Sequence, residues 1–300
     1  MLRRYFRGAP TIEPMSLAAQ FDGDVLAHKS RRLGDHLRSL GRLLVAYSGG
    51  VDSAFLAWAA HHELGSDMLA VLADSPSLAR SQMQDALAFA QEQGIPLTII
   101  QTAEMERPEY RKNDGSRCFH CKDELFTVME QFRVKHGFSL IAYGVNTDDQ
   151  GDYRPGQAAA RQHGVVAPLL EAGLSKHEIR ELARAAGLRI WDKPASACLS
   201  SRIEYGRAVT AEALLAVENG EEALRSLGFR QFRVRHHGDI VRIEIAGDEL
   251  PRAFTTEMAS EFTRIFKGLG FKYVTLDLEG FRSGSMNAVL PIDVLNRSRS

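Results

Sequence analysis

Short apolar runs alternate with longer amphipathic segments over the first two-thirds of the chain. The runs at 42–47, 68–73, 97–101, 140–143 and 165–169 have the length and composition of buried strands. Between them, apolar residues recur at helical spacing, which predicts helices over 24–40, 52–64, 78–93, 123–135, 154–163 and 176–186. This alternation predicts an α/β fold, with a Rossmann-like parallel sheet that helices cover on both faces.

Two of the predicted helices show further detail. Four residues of helix 24–40 share its expected core face: Val25, Leu33, Leu37 and Leu40. Helix 176–186 follows Ser175, has Glu178 at the spacing of a capping box and is followed by Gly187. Both features indicate helices with defined ends.

The pattern changes after about residue 207. A helix over 210–227 precedes strands over 231–237 and 240–246, and the Gly-Asp turn between these strands predicts an antiparallel hairpin. A helix over 252–269 and a strand over 271–276 follow. We therefore divide the chain into a lead-in (1–22), an α/β domain (23–207) and a smaller C-terminal α+β domain (208–300).

Composition and charge exclude several classes of protein. The 300 residues include 37 Lys+Arg and 38 Asp+Glu, so the net charge of −1 provides no general field for nucleic acid or an acidic membrane. No apolar stretch approaches the roughly 18–20 residues of a membrane helix, and the start lacks the pattern of a signal peptide. Three cysteines make no disulfide framework. We expect a cytoplasmic protein with no nucleic-acid or membrane partner.

A glycine-rich turn, SGGVDS, joins the first predicted strand to a helix. Gly49 and Gly50 allow successive backbone N–H groups to face an anion, while Ser48 and Ser53 add hydroxyl groups. Asp52 is suited to holding Mg²⁺ between phosphates. A serine-capped turn without a ligand is the structural alternative, but the strand before it and the apolar helix after it favour phosphate binding. The turn is not a Walker A loop, because no lysine follows it.

A second polar loop, GVNTDDQGDYRPG, follows the predicted strand 140–143 and should open at the same sheet edge. Asp148, Asp149 and Asp152 could supply metal ligands, and Arg154 could contact a phosphate. The alternative is a solvated loop. The length and position of the segment favour a function.

Cys118 and Cys121 form a C-x-x-C motif, and Cys198 lies in KPASACLSSRIEYG. A redox pair, zinc with His120 or a water as fourth ligand, and an iron–sulfur cluster with one open iron all remain compatible with this set. Three unrelated buried thiols are the structural alternative. Around Cys198, Arg202 and the serines 196, 200 and 201 form a polar, cationic setting that favours a thiolate.

The chain resembles two known groups of enzymes. SGGVDS is similar to the phosphate loop (PP-loop) of the N-type ATP pyrophosphatases, which form AMP and pyrophosphate. AYSGGVDS, GVNTDDQGDYRPG, KPASACLSSRIEYG, RVRHHGDIVRIE and YVTLDLEGFRSGSMN together resemble the LarE family of ATP-dependent sulfur transferases over nearly the whole chain. This resemblance implies adenylation of a carboxylate of pyridinium-3,5-biscarboxylic acid mononucleotide, followed by replacement of the activated oxygen by sulfur, in biosynthesis of the nickel-pincer cofactor of lactate racemase.

The resemblance also implies how sulfur is supplied. If Ser200–Arg202 sets the register, Ala197 stands where some family members have a sacrificial cysteine, and Cys198 comes one residue later. With Cys118 and Cys121, Cys198 matches the members thought to hold a [4Fe-4S] cluster, and these three are the expected catalytic and iron-binding residues. The alternative is that Cys198 donates its own sulfur and becomes dehydroalanine.

The remaining roles follow from the same resemblance. ATP and Mg²⁺ would occupy the 23–207 domain, and the 208–300 domain would bind substrate and mediate assembly as a homo-oligomer, a hexamer in the family. The expected ATP-binding residues are Ser48, Gly49, Gly50, Asp52 and Ser53, with Ala73 and Gly144 framing adenosine by analogy with similar sheets. The expected residues for the substrate and its phosphate are Arg202, Arg233, Arg235, Glu221 and Arg282, with Glu244 and Ser285 as further candidates.

Three other functions compete with this prediction. An amide ligase similar to NAD or GMP synthetase would share the phosphate loop but leave the cysteines unexplained. A tRNA thiolation enzyme would explain both features, although the balanced charge speaks against RNA binding. A nucleotide sensor without catalysis would bind ATP but form no AMP.

Overall fold

The computed structural model describes residues 4–5, 24–150, 155–194 and 197–282. Its larger sheet has the strand order β1-β4-β3-β2-β5, and all neighbouring strands are parallel except the short edge strand β1, which pairs antiparallel with β4. The strands are β1 (Arg4–Tyr5), β2 (Leu43–Ala46), β3 (Met68–Asp74), β4 (Leu97–Gln101) and β5 (Leu140–Tyr143). The predicted parallel α/β sheet is confirmed.

Helices cover both faces of this sheet. They are α1 (Asp24–Ser39), α2 (Val51–Leu64), α3 (Arg80–Glu92), α4 (Pro108–Arg111), α5 (Arg117–His136), α6 (Pro155–Gln162), α7 (Pro168–Glu171) and α8 (Lys176–Ala185). Because side chains of a strand point alternately to opposite faces, Leu43 and Val45 pack with α1, α2, α3 and α8, whereas Leu44 packs with α5 and α6. Among the described residues, no helix is long and apolar enough to cross a membrane.

The smaller sheet has the order β6-β7-β8. Strands β6 (Phe232–His237) and β7 (Ile240–Ile245) form the predicted hairpin, which turns at Gly238 with φ +72°, and β8 (Tyr273–Leu276) pairs parallel with β7. Helices α9 (Ala211–Ser226), α10 (Leu250–Ala253) and α11 (Thr256–Gly268) belong to this part of the chain. Its core contains Val234, Ile243 and Phe266. The exact domain boundaries stay predictions.

Three sequence predictions are wrong in detail. The segment 165–169 is no strand: Val166 makes a single bridge to Ala142, and Pro168 starts α7, since proline lacks the N–H of a ladder. The helix predicted over 252–269 is two helices, because the Thr255 side chain caps a new start for α11. Val25 is 67% exposed, outside the core face of α1.

Helix α5 starts at Arg117 rather than at 123, so both cysteines of the C-x-x-C motif lie in its first two turns. The start of this helix could not be predicted from the polar sequence RCFHCK, because this sequence has no apolar period. The Ser116 side chain also makes no capping hydrogen bond. In the predicted lead-in, Arg4–Tyr5 adds an edge strand to the sheet.

Candidate active site

The phosphate loop lies where β2 ends and α2 begins, at the carboxyl edge of the sheet. The Ser53 hydroxyl accepts a hydrogen bond from the Ser48 amide (3.2 Å) and lies 3.0 Å from the Ser48 hydroxyl. It also donates to the Gly50 carbonyl (3.1 Å). Asp52 lies in the first turn of α2. The two serines therefore shape the turn itself, and the first amides of α2 have no partner within the helix.

Two glycines are required by close packing around this loop. Gly49 has φ +72°, and a Cβ atom there would lie 2.5 Å from the Ala86 Cβ atom. Gly144 follows β5, and a Cβ atom there would lie 2.7 Å from the Ser53 amide nitrogen. The end of β5 thus runs directly against the start of α2, which brings the second polar loop to the phosphate loop. Ala73 lies near the end of β3, at the same edge of the sheet.

Lys193 adds a cation to the phosphate loop. Its Nζ atom donates to the Gly49 carbonyl oxygen (3.2 Å) and lies 3.4 Å from a carboxylate oxygen of Asp85 on α3. The sequence analysis missed this residue because it lies 144 positions after Gly49. The Lys-Pro at the start of the KPASACLSSRIEYG motif was the available signal.

The aspartates of the second loop have structural partners. Asp149 is buried and closes a capping box with Asn146, and Asp148 accepts a hydrogen bond from the Lys176 amide (3.0 Å). Asp152 and Arg154 lie outside the described residues. These contacts attach the loop to the start of α8.

The three cysteines come together from two distant segments. Cys118 and Cys121 are three residues apart on α5, and Cys198 directly precedes the helical turn Leu199–Arg202. Cys121 packs against the apolar cluster that contains Leu199, the residue after Cys198, and Arg117 donates to the Ser200 carbonyl oxygen (2.9 Å), so the two segments meet. Cys118 is exposed, and the other two are half-buried. Among the described residues, no group of three or more His, Cys, Asp or Glu side chains is arranged to hold a metal ion.

The electrostatic setting of the thiols differs from the predicted one. Burial raises the pKa of Cys121 to about 12. The surrounding protein displaces water from the Cys118 thiol and raises its pKa as well, and the positive charges of Arg117 and Lys122 oppose this rise. Arg202, which was expected to favour a thiolate, instead donates to the carbonyl oxygens of Ala197 (2.7 Å) and Cys198 (3.0 Å). The cations beside the thiols are Arg117, next to Cys118, and Lys122, next to Cys118 and Cys121, and the sequence analysis did not identify either of them.

Two of the predicted substrate-binding arginines are buried in ion pairs. Arg202 is 1% exposed and donates to Glu221 (2.8 Å), and Arg235 donates to Glu244 (2.8 Å). Arg235 also donates to the Ser201 carbonyl oxygen (3.2 Å), which attaches the Cys198 segment to the polar face of the smaller sheet. Both carboxylates therefore have a structural role here.

Arg233 lies on the same face of β6 as Arg235, as predicted from the period of a strand. Burial and the positive charges of Arg202 and Arg235 lower its pKa to about 10, against Glu221 and Glu244. Its Nη1 atom donates to the Phe232 carbonyl oxygen (2.6 Å), and its Cζ atom lies 4.8 Å from the centre of the Phe281 ring. Arg282 is half-exposed and pairs with Glu279 (2.5 Å), and Ser285 lies outside the described residues.

Two known proteins are similar in sequence to most of this chain. An uncharacterised protein of Synechocystis, slr1717, is 42% identical over 89% of this chain and 99% of its own length. The pyridinium-3,5-bisthiocarboxylic acid mononucleotide synthase of Lactiplantibacillus plantarum is 35% identical over 88% of this chain and 96% of its own length. The chain belongs to the LarE family. No protein-family model matches it.

A more distant likeness concerns the α/β part of this LarE homologue. A subunit of the glutamine-hydrolysing GMP synthase of Methanococcus maripaludis is 28% identical over 49% of the chain and 50% of its own length. The phosphate loop, the parallel sheet and this likeness agree with a PP-loop fold. The chain is therefore a homologue of enzymes.

Proposed function

We propose that the chain is an ATP-dependent sulfur transferase acting on pyridinium-3,5-biscarboxylic acid mononucleotide. The oxygen of a substrate carboxylate would attack the α-phosphorus of ATP and release pyrophosphate. A sulfur nucleophile would then attack the acyl carbon and expel AMP, which carries away the original oxygen. The observation that carries this proposal is that α5, which bears Cys118 and Cys121, packs against the segment that follows Cys198 on a PP-loop framework.

One stretch of chain supports the coupling of the two half-reactions. Lys193 contacts the phosphate loop, Cys198 joins the other thiols, and Arg202 lies beside Arg233 and Arg235. ATP and Mg²⁺ would be held by the phosphate loop, with Asp52 as the metal ligand and Lys193 as a cation for the phosphates. The phosphate of the substrate would bind near Arg233, beside which the guanidinium groups of Arg202 and Arg235 also lie.

The cysteine set has the donor chemistry of an iron–sulfur cluster, because such clusters are held by thiolates and the two segments that carry the three cysteines are in contact. Cys118, Cys121 and Cys198 would hold it, and it would supply the sulfur. Arg202 and Ser201 bind the Cys198 carbonyl oxygen, so the backbone of this ligand is fixed without involving its thiol.

Turnover under anaerobic conditions tests this proposal. The reconstituted protein is incubated with ATP, Mg²⁺, sulfide and the biscarboxylic acid mononucleotide, and AMP, thiocarboxylate and protein mass are measured. We expect one AMP per thiocarboxylate, repeated turnover, an unchanged protein mass and no sulfur transfer by Cys198→Ala. A single turnover with loss of H₂S from Cys198 would instead show sacrificial donation. Amide formation with ammonia in place of sulfide would overturn the proposal in favour of a ligase.

A further inference from the structure

Arg117 is a buried cation whose hydrogen-bond partners are neutral. It is 3% exposed, and its Nη1 atom donates to the side-chain carbonyl of Asn113 and to the backbone carbonyl of Ser200 (2.9 Å). The Tyr205 ring lies 5.6 Å from its Cζ atom. Over the described residues, no carboxylate forms an ion pair with Arg117. A buried charge is stable only when it is compensated.

The other buried arginines show how this chain usually provides that compensation. Arg202 pairs with Glu221, and Arg235 pairs with Glu244. Arg117 instead lies directly before Cys118 in the sequence and binds the segment after Cys198 through the Ser200 carbonyl oxygen. Since thiolates that bind iron are negatively charged, the cysteine site can provide the charge that a carboxylate provides elsewhere.

Arg117 also joins the two segments that carry the cysteines. Its bond to Ser200 spans 83 positions and connects the start of α5 to the segment after Cys198. The same two segments meet at Asn113, which has φ +57° and donates from its side chain to the carbonyls of Glu204 and Arg207 (2.9 Å each). Arg117 is the member of this network beside the thiols.

We propose that Arg117 is a positioning residue of the cysteine site, which fixes Cys198 against the helix of Cys118 and Cys121 and supplies the positive charge that balances the group held by the three thiols. The inference rests on the proposed function in taking these cysteines as the sulfur-handling site. A cation beside an iron–sulfur group raises its reduction potential, because it favours the more negative reduced state.

Two variants distinguish the positioning role of Arg117 from the effect of its charge. Arg117→Lys keeps the charge but loses the planar fork that reaches Asn113 and Ser200, whereas Arg117→Gln removes the charge. In the metal-free protein, a short thiol-to-thiol cross-linker such as dibromobimane, with mass mapping, measures how often Cys118 and Cys198 lie close together. We expect the cross-link yield to fall at least threefold in both variants. In the reconstituted protein, we expect a more negative reduction potential for Arg117→Gln only.

The exposed Arg111 on α4 provides the matched control, and Arg111→Gln should behave as the unchanged protein in both measurements. The proposal would be overturned if Arg117→Gln had the cross-link yield and the reduction potential of the unchanged protein. It would also be overturned if the unchanged protein formed no Cys118–Cys198 cross-link. If Arg117→Gln does not fold, the cross-link yield of Arg117→Lys decides. If the unchanged protein takes up no iron, the iron–sulfur cluster of the proposed function is rejected. Cross-linking of the metal-free protein still tests whether Arg117 positions Cys198.

Discussion

The phosphate loop and the cysteine site are held in place by different kinds of interaction. The phosphate loop is one continuous strand–turn–helix segment, fixed by glycine conformation and close backbone packing at Gly49 and Gly144. The cysteine site joins α5 to a distant segment, 83 positions away at the Arg117–Ser200 bond, through buried charges and side-chain hydrogen bonds. Substitutions that remove a charge should therefore damage the second region, and substitutions that add volume should damage the first.

The largest effect is expected at the buried pair of Arg202 and Glu221. Glu221→Gln leaves the Arg202 charge buried without its carboxylate, which should lower the free energy of unfolding by about 3–5 kcal/mol. Chemical denaturation measures this loss. Glu261→Gln, which breaks the exposed pair with Arg264 on α11, is the control and should leave the unfolding midpoint unchanged. If Glu221→Gln were as stable as the unchanged protein, Arg202 would be available to a ligand rather than committed to the fold.

Gly49→Ala tests the packing of the phosphate loop. The added Cβ atom would meet Ala86 at 2.5 Å, at a φ of +72° that side chains rarely adopt, so we expect a loss of about 1–3 kcal/mol in stability. Gly50→Ala is the matched control, since the nearest atom to its Cβ is the Ser48 Oγ atom at 3.6 Å and its φ is −75°. Equal unfolding midpoints for the two variants would contradict the packing argument.

Lys193→Met tests a cation that should act on the ligand more than on the fold. The Lys193 side chain is half-buried and, within the described part of the chain, makes only the contacts with Gly49 and Asp85 given above, so the free energy of unfolding should change little. Loss of its charge should weaken binding of Mg-ATP by about tenfold, or about 1.4 kcal/mol, in calorimetric titration. The exposed Lys135→Met on α5 is the control. ATP affinity that is the same in both variants would remove Lys193 from the site.

The smallest effect concerns His163, which joins α6 to α5. Burial alone would lower its pKa, but hydrogen bonds to Asp123 (2.9 Å) and Glu130 (3.2 Å) outweigh burial, and the pKa of His163 is raised. Its stabilisation is therefore fully present below the unfolded pKa of about 6.5 and is lost as pH rises through the raised value.

The cost of His163→Gln in the free energy of unfolding should consequently be about 1 kcal/mol at pH 6 and smaller at pH 9. Denaturation at both pH values measures the difference. His177→Gln, at an exposed position on α8, should show no such pH dependence. A cost that grows toward high pH would mean that His163 is neutral in the folded protein.

Local patterns were sufficient to predict the nucleotide half of the molecule. The apolar run before SGGVDS and the apolar helix after it predicted β2, the phosphate loop and α2, because each depends on neighbours within a few residues. Ser175 and Glu178 likewise predicted the capping box of α8, which is present. The prediction for 165–169 was wrong since apolar composition alone does not distinguish a strand from a short buried helix.

The cysteine half was less accessible from local patterns. The resemblance named Cys118, Cys121 and Cys198 as one group, and in the structure α5, which carries the first two, contacts the segment that follows the third. The role of Arg117 was not predicted, because nothing in RCFHCK distinguishes a buried arginine from a solvated one. Arg202 and Arg235 were expected to face a ligand, but Glu221 and Glu244 are brought to them by α9 and β7.

The sequence by itself determined the alternation of strands and helices and the glycine-rich turn of the phosphate loop, because these depend on periodicity and on neighbouring residues. The tertiary structure decided which charges are paired. Arg202 and Arg235 meet carboxylates, whereas Arg117 is buried beside thiols and amide groups. That difference arises from contacts across 9 to 83 positions, and the energy of a charge depends on whatever folding places within a few ångströms of it.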